Sequence, residues 1–142
     1  IDNLHKVKLV DNFYEFMLSV YNEKYLLALA SSNVRKAVDK VIEIFDLSKY
    51  IKVSISGEEV SKSKPDPEIF LKAAKKLGVK PTNCLVIEDA FAGVQAAKAA
   101  GMKCIGYKNP NSGRQDLSDA DLIVESFSEL SLDTIKKLFG EN

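Results

Sequence analysis

The chain has 142 residues, enough for one domain with a substantial core, and 46% of them are hydrophobic. Its twenty basic residues are balanced by twenty acidic ones, which argues against nucleic acid or an anionic membrane as partner. The two cysteines, Cys84 and Cys104, each lie within an apolar run and read as reduced core thiols of a cytoplasmic protein, not as a disulfide pair or a zinc site.

In chain order, Phe13, Phe16, Met17, Val20 and Tyr21 recur at helical spacing and predict a helix over 13–23 with one buried face. Tyr25–Ala30 is a near-continuous apolar run, read as a buried strand. Ser31, Ser32 and Asn33 interrupt it, and Val34, Val38, Val41, Ile42 and Phe45 mark a second amphipathic helix. The segment 52–56 alternates like a strand and stops at Gly57. After a polar loop to Lys64, Asp66 followed by Pro67 is a helix start, with Ile69, Phe70, Ala73, Ala74 and Leu77 on its apolar face and Gly78 as its stop.

The stretch CLVIEDAFAGVQAAKAAG, residues 84–101, holds the most informative pattern. An apolar run over 84–87 predicts a strand buried on both faces. Two acids, Glu88 and Asp89, stand where that strand ends, and a helix rich in small residues follows. Beyond it, Lys103–Tyr107 reads as a strand, 109–116 as a turn-rich loop, Leu122–Val124 as a short edge strand, and Leu132, Ile135, Leu138 and Phe139 as a last helix. Strand and helix alternate with short connections, which predicts an α/β fold: a Rossmann-like parallel sheet with helices on both faces.

In such a sheet the carboxyl ends of the strands share one edge, where ligands bind. Ser31 with the amides after it, Lys64, and the pair Glu88 and Asp89 all fall there. A hydroxyl and free amides at a helix start suit a phosphate. A lysine adds a point charge, and paired carboxylates suit Mg²⁺. Each group taken alone has a plainer reading. Ser31 or Asn33 would cap the following helix, Lys64 would be one more solvated lysine, and Asp89 would cap the helix after it.

LALASSN, SKPDPEIF and CLVIEDAFAGVQAAKAAGM together resemble the second, third and fourth motifs of the haloacid dehalogenase superfamily, in its β-phosphoglucomutase-like and sugar-phosphate phosphatase branch. The resemblance extends over nearly all of 10–140. It implies that Ser31 holds the transferring phosphate, that Ser32 and Asn33 add backbone amides, and that Lys64 balances the charge of phosphate and nucleophile. Glu88 and Asp89 would hold Mg²⁺, with Asp89 the direct ligand. The implied activity is phosphatase action on a small phosphorylated metabolite such as a sugar phosphate, with β-phosphoglucomutase activity as the alternative.

The family's first motif, an apolar strand ending in Asp-x-Asp, has no counterpart. Asp11 follows an apolar pair but has Phe13 where the second Asp belongs. Asp119 and Asp121 have the spacing without the strand, Asp2 has nothing before it, and His5 cannot substitute. Nucleophile and acid/base are thus missing, as is most of the helical cap. Residues 1–12 read as a remnant of cap or linker and 13–142 as an incomplete core. This is expected of a fragment that supplies the phosphate- and metal-binding half and is inactive alone. A non-catalytic phosphate- or partner-binding module is the alternative. The missing strand would lie between the strands ending at Ser31 and Glu88. Tyr25–Ala30 and Leu85–Ile87 are therefore expected either to pair directly or to accept a strand from another chain, since open edges are costly.

Overall fold

The computed structural model describes residues 12–141. Helix α1 (Phe13–Asn22) leads to strand β1 (Leu27–Ala30), helix α2 (Arg35–Ile44) and strand β2 (Ile51–Ile55). Helix α3 (Glu68–Leu77), strand β3 (Leu85–Glu88), helix α4 (Phe91–Ala99) and strand β4 (Lys103–Tyr107) follow. Strand β5 (Leu122–Val124) and helix α5 (Leu132–Leu138) close the chain. The expected alternation is present, and every strand pairing is parallel.

The strands form two separate sheets, β1–β2 and β3–β4–β5. Direct pairing of the segment ending at Ala30 with Leu85–Ile87, one of the two expected outcomes, does not occur. Each half-sheet is held instead by its own helix, α3 over β1 and β2 and α4 over β3 and β4, so nothing draws the two strands into register with one another.

Period-two alternation distributes the strand side chains to two helical layers. Val86 and Cys104 point into a core with Ile69, Phe70, Ala73 and Ala74 of α3 and Val94, Ala96 and Ala97 of α4. Their neighbours Leu85, Ile87, Ile105 and Tyr107 pack on the opposite side with Phe16 and Val20 of α1, with Phe127 in the turn after β5, and with Ile135 of α5. The strand expected to be buried on both faces is only partly so: Val86 is enclosed, while Leu85 and Ile87 are half-buried. Full enclosure belongs to β4, which has a partner on each side.

Helix boundaries fall within a residue or two of the expected ones, and the caps carry the reasons. Asp66 Oδ1 accepts the Glu68 amide at 3.0 Å from just before the N-cap, which is Pro67 and not the expected Asp66, and Gly78 ends α3 at φ 73°, a left-handed turn that costs glycine little. The first strand is shorter than its apolar run. Lys24 turns at φ 73° and the Tyr25 amide is taken by the Val20 carbonyl, so Tyr25 and Leu26 stay outside β1 and exposed.

Of the cysteines, Cys104 is fully buried, and desolvation pushes its thiol up to about 12. Cys84 is half-buried; neither forms a disulfide. Among the described residues, no helix is long and apolar enough to cross a membrane.

Candidate active site

Ser31, Lys64, Glu88 and Asp89 each follow or end a strand at the carboxyl edge of the two half-sheets. The loop after β1 is anchored by backbone. Ser31 N donates to the Ile55 carbonyl at 3.0 Å and Gly57 N to the Asn33 carbonyl at 2.7 Å. A Cβ on Gly57 would lie 2.1 Å from the Ser32 carbonyl oxygen, so only glycine lets the end of β2 approach this loop. Ser31 Oγ accepts the Asn33 amide at 3.2 Å. Neither Ser31 nor Asn33 caps α2, whose N-cap is Val34 without a side-chain bond. The Arg35 amide at the helix start is taken by Glu58 Oε1 at 2.9 Å. Of the two amides expected to face a phosphate, that of Asn33 already has a local acceptor, and the Ser32 amide has none among the described residues.

Behind this loop stands a polar network. Arg35 donates to Asp39 Oδ1 (2.9 Å), Ser54 Oγ (2.7 Å), the Ser54 carbonyl (2.9 Å) and Glu59 Oε2. Glu59 also accepts the Ser56 amide at 2.6 Å and faces Lys76 at 3.3 Å. The Ser56 amide first, and then the Arg35 guanidinium, lower the Glu59 carboxyl from 4.5 to about 2.

The second half of the site is more tightly built. Lys64 Nζ lies 2.7 Å from Glu88 Oε2, with the side chains only 14% and 12% exposed. Lys64 is therefore not a solvated surface lysine. Its ammonium also sits 5.0 Å from the centroid of the Phe70 ring, within reach of a cation–π contact. The Glu88 side chain occupies space that only a glycine leaves: a Cβ on Gly93 would fall 1.9 Å from Glu88 Cδ and 2.3 Å from Oε2. Gly93, which the sequence suggests merely as a packing residue of α4, is the cradle of the Glu88 carboxylate.

Asp89 does not cap α4. The N-cap is Ala90, and the Phe91 amide is accepted by Gln115 Oε1 at 2.9 Å. Asp89 instead turns Oδ2 toward the loop after β4, where it accepts from Ser112 Oγ at 2.6 Å and Asn109 Nδ2 at 3.0 Å. From sequence this loop either touches substrate or simply turns, and the turn is the preferred reading. Its signal was the polar run Asn-Pro-Asn-Ser directly after a strand, at the same edge as the acids.

Lys64, Glu88, Asp89, Asn109 and Ser112 thus form one connected cluster, while no hydrogen bond joins it to Ser31–Asn33 among the described residues. Asp119 and Asp121 serve packing: Asp119 accepts from Gln95, and Asp121 from Lys98 and the Cys104 amide. Asp2, His5 and Asp11, with most of the expected 1–12 remnant, lie outside the described residues.

The two carboxylates offer hard oxygen donors of the kind Mg²⁺ prefers. Glu88 Oε2 is neutralised by Lys64, while Asp89 has no charged partner among the described residues. Among the described residues no group of three or more His, Cys, Asp or Glu gathers around a possible ion, so Glu88 and Asp89 fit as part of a Mg²⁺ shell that needs oxygens from elsewhere.

A parallel α/β core with a lysine and paired acids at its carboxyl edge defines an α/β protein with a charged cluster where such sheets bind ligands. The chain belongs to the haloacid dehalogenase-like hydrolase family, whose profile matches residues 1–107. It is 43% identical over 109 residues to the YhcW protein of Bacillus subtilis (strain 168), described as a candidate phosphatase, covering 75% of this chain and 48% of that one. It is 33% identical over 135 residues to the β-phosphoglucomutase of the same organism, covering 95% and 57%. The crystal structure of a family IA, variant 3 hydrolase from Entamoeba histolytica superposes with a TM-score of 0.85 at 28% identity, covering 99% of this chain and 66% of the other. The chain spans about half the length of these two curated relatives.

Proposed function

We propose that the protein carrying this chain is a Mg²⁺-dependent phosphatase of small phosphorylated metabolites, sugar phosphates foremost, and that these residues supply its phosphate- and metal-binding half. The Lys64–Glu88 pair beside Asp89 carries this reading. A lysine and a glutamate this enclosed, at a ligand-binding edge, have no packing role that an apolar pair would not fill as well.

In this reading Ser31 Oγ, which accepts from the Asn33 amide, keeps its own proton to donate to a phosphoryl oxygen. The Lys64 ammonium, fixed by Glu88, balances charge on the transferring group. Bound Mg²⁺ would be held by Asp89, with Glu88 beside it, and would neutralise phosphoryl oxygens. The nucleophilic carboxylate belongs to a strand outside residues 12–141, entering between β1 and β3, which are not bonded to each other. It would attack phosphorus to give an aspartyl-phosphate, releasing the alcohol, and water would then hydrolyse the acyl phosphate. The two free thiols fit a reducing compartment such as the cytoplasm.

Release of phosphate from p-nitrophenyl phosphate and a panel of sugar phosphates tests this. The complete protein should turn over with Mg²⁺ and lose activity in Asp89→Asn, and the 142-residue chain alone should be inactive. Turnover by the 142-residue chain, or full activity in Asp89→Asn, would refute the assignment. The name of the B. subtilis relative favours β-phosphoglucomutase as the second reading; isomerisation of a phosphosugar without net phosphate release distinguishes it.

A further inference from the structure

Asp89 is held on one side only. Ser112 Oγ and Asn109 Nδ2 both donate to Oδ2, and Oδ1 has no hydrogen bond among the described residues. The two donors are themselves fixed. Asn109 Oδ1 accepts the Asn111 amide at 3.0 Å, which turns its Nδ2 toward Asp89. The Ser112 carbonyl accepts from Gln115 Nε2 at 3.1 Å, while Gln115 Oε1 takes the Phe91 amide at 2.9 Å. The loop 109–115 is thereby tied both to the carboxylate and to the start of α4.

Resting on the metal reading above, we propose that Asn109 and Ser112 are positioning residues that lock the Asp89 carboxylate through Oδ2 and present Oδ1 to the cation. A carboxylate gripped by two donors on one oxygen cannot rotate or swing to bidentate binding without breaking them. Mg²⁺ requires near-ideal octahedral geometry with monodentate oxygens, whereas Ca²⁺ accepts flexible and bidentate ligands. The clamp therefore selects for the smaller ion as well as strengthening its binding, as hydrogen bonds to ligating side chains do elsewhere. A loop that only turned the chain would need neither bond.

Calorimetric titration of Mg²⁺ and, separately, Ca²⁺ into the complete protein tests this. Ser112→Ala and Asn109→Ala should each weaken Mg²⁺ by about tenfold but Ca²⁺ by no more than about threefold, and Ser112→Thr, which keeps the hydroxyl, should restore Mg²⁺ affinity. Ser118→Ala, which removes a hydroxyl that donates to Asp116 in the same loop region, should leave both affinities unchanged. Melting curves without metal confirm folding; if one alanine variant fails to fold, the other carries the test. Unchanged Mg²⁺ affinity in both alanine variants, with binding abolished in Asp89→Asn, overturns the clamp and leaves the metal site standing. Equal losses for Mg²⁺ and Ca²⁺ overturn the selectivity. Undiminished binding in Asp89→Asn removes the metal reading itself.

Discussion

In the half-sheet β3–β4–β5 the middle strand carries Cys104, Ile105 and Tyr107, all buried between the two helical layers. In β1–β2 only Ile55 is fully enclosed, and the strands are tied to α2 and α3 by Arg35, Glu59 and Lys76. The first half is enclosed by apolar side chains on both faces; the second shares the apolar core on its α3 side through Ile55, Ala30 and Val53 and adds a charged network in partial solvent. The site divides the same way. Glu88 and Asp89 stand on the half enclosed on both faces and are bonded by Lys64, Asn109 and Ser112. Ser31–Asn33 stands on the half with the charged network and makes fewer side-chain hydrogen bonds. In the proposed reading, the phosphate would meet the loop that makes fewer side-chain hydrogen bonds and the cation the carboxylates that make more.

Four substitutions would break or sharpen this contrast. Ile105→Ala, at the centre of the three-stranded sheet and fully buried, should cost about 2–5 kcal/mol in denaturant unfolding, the largest effect. A loss no greater than that of the polar-network variants would erase the distinction between the halves. Lys64→Met leaves Glu88 enclosed without its partner and should cost about 3 kcal/mol; its slight exposure keeps it below the full buried-pair penalty. The double variant Lys64→Met with Glu88→Leu should recover most of that loss. If the single and double variants are equally unstable, the penalty comes from packing and not from an unpaired charge.

Gly93→Ala drives a methyl group into Glu88 and should cost about 1–3 kcal/mol, with loss of Mg²⁺ binding as the carboxylate is displaced. Normal metal affinity in that variant would show that Glu88 has room to move aside. Glu59→Gln should cost about 1–2 kcal/mol, since its carboxylate is nearly a third exposed and water competes for its partners.

The same residue sets an acid limit. Its carboxyl titrates lower in the folded chain (about 2) than in the unfolded one (4.5), so the folded state binds fewer protons in that interval. The stability it contributes is complete above about pH 4.5 and disappears as pH falls toward 2. In Glu59→Gln this part of the acid dependence should vanish; an identical acid profile in both proteins would remove Glu59 from the account.

Much of this was legible in the residues. Helix α3 announced itself through Asp66, Pro67 and Gly78, because caps and left-handed turns are local requirements that few residue types meet. Strand β4 was read with its observed boundaries, since an apolar run bracketed by Gly101 and a polar loop is a local pattern too. The parallel α/β class followed from alternation alone. Ser31, Lys64, Glu88 and Asp89 were placed at one edge because parallel strands share their carboxyl ends.

Three things were not legible. Asp89 as helix cap and Asp89 turned to the ligand edge require the same sequence, and it is the tertiary structure that puts the cap at Ala90 and points Asp89 toward Asn109 and Ser112, twenty and more residues away. The role of Gly93 depends on where the Glu88 side chain lies, which the spacing of five residues across a strand–helix turn does not specify. Whether β1 and β3 pair directly, one of the two expected outcomes, is a matter of which helix packs on which half-sheet.

By itself, then, the sequence determined what is local: element types, their stops, the order of strands along the chain and the charge type of each candidate group. The tertiary structure alone decided partnership: that Lys64 neutralises Glu88 and that Asp89 is gripped on one oxygen by a loop read as a turn. The physical reason is that a cap or an alternation is settled within a few residues, whereas an ion pair or a carboxylate's orientation depends on segments that meet only when the sheets and helices pack.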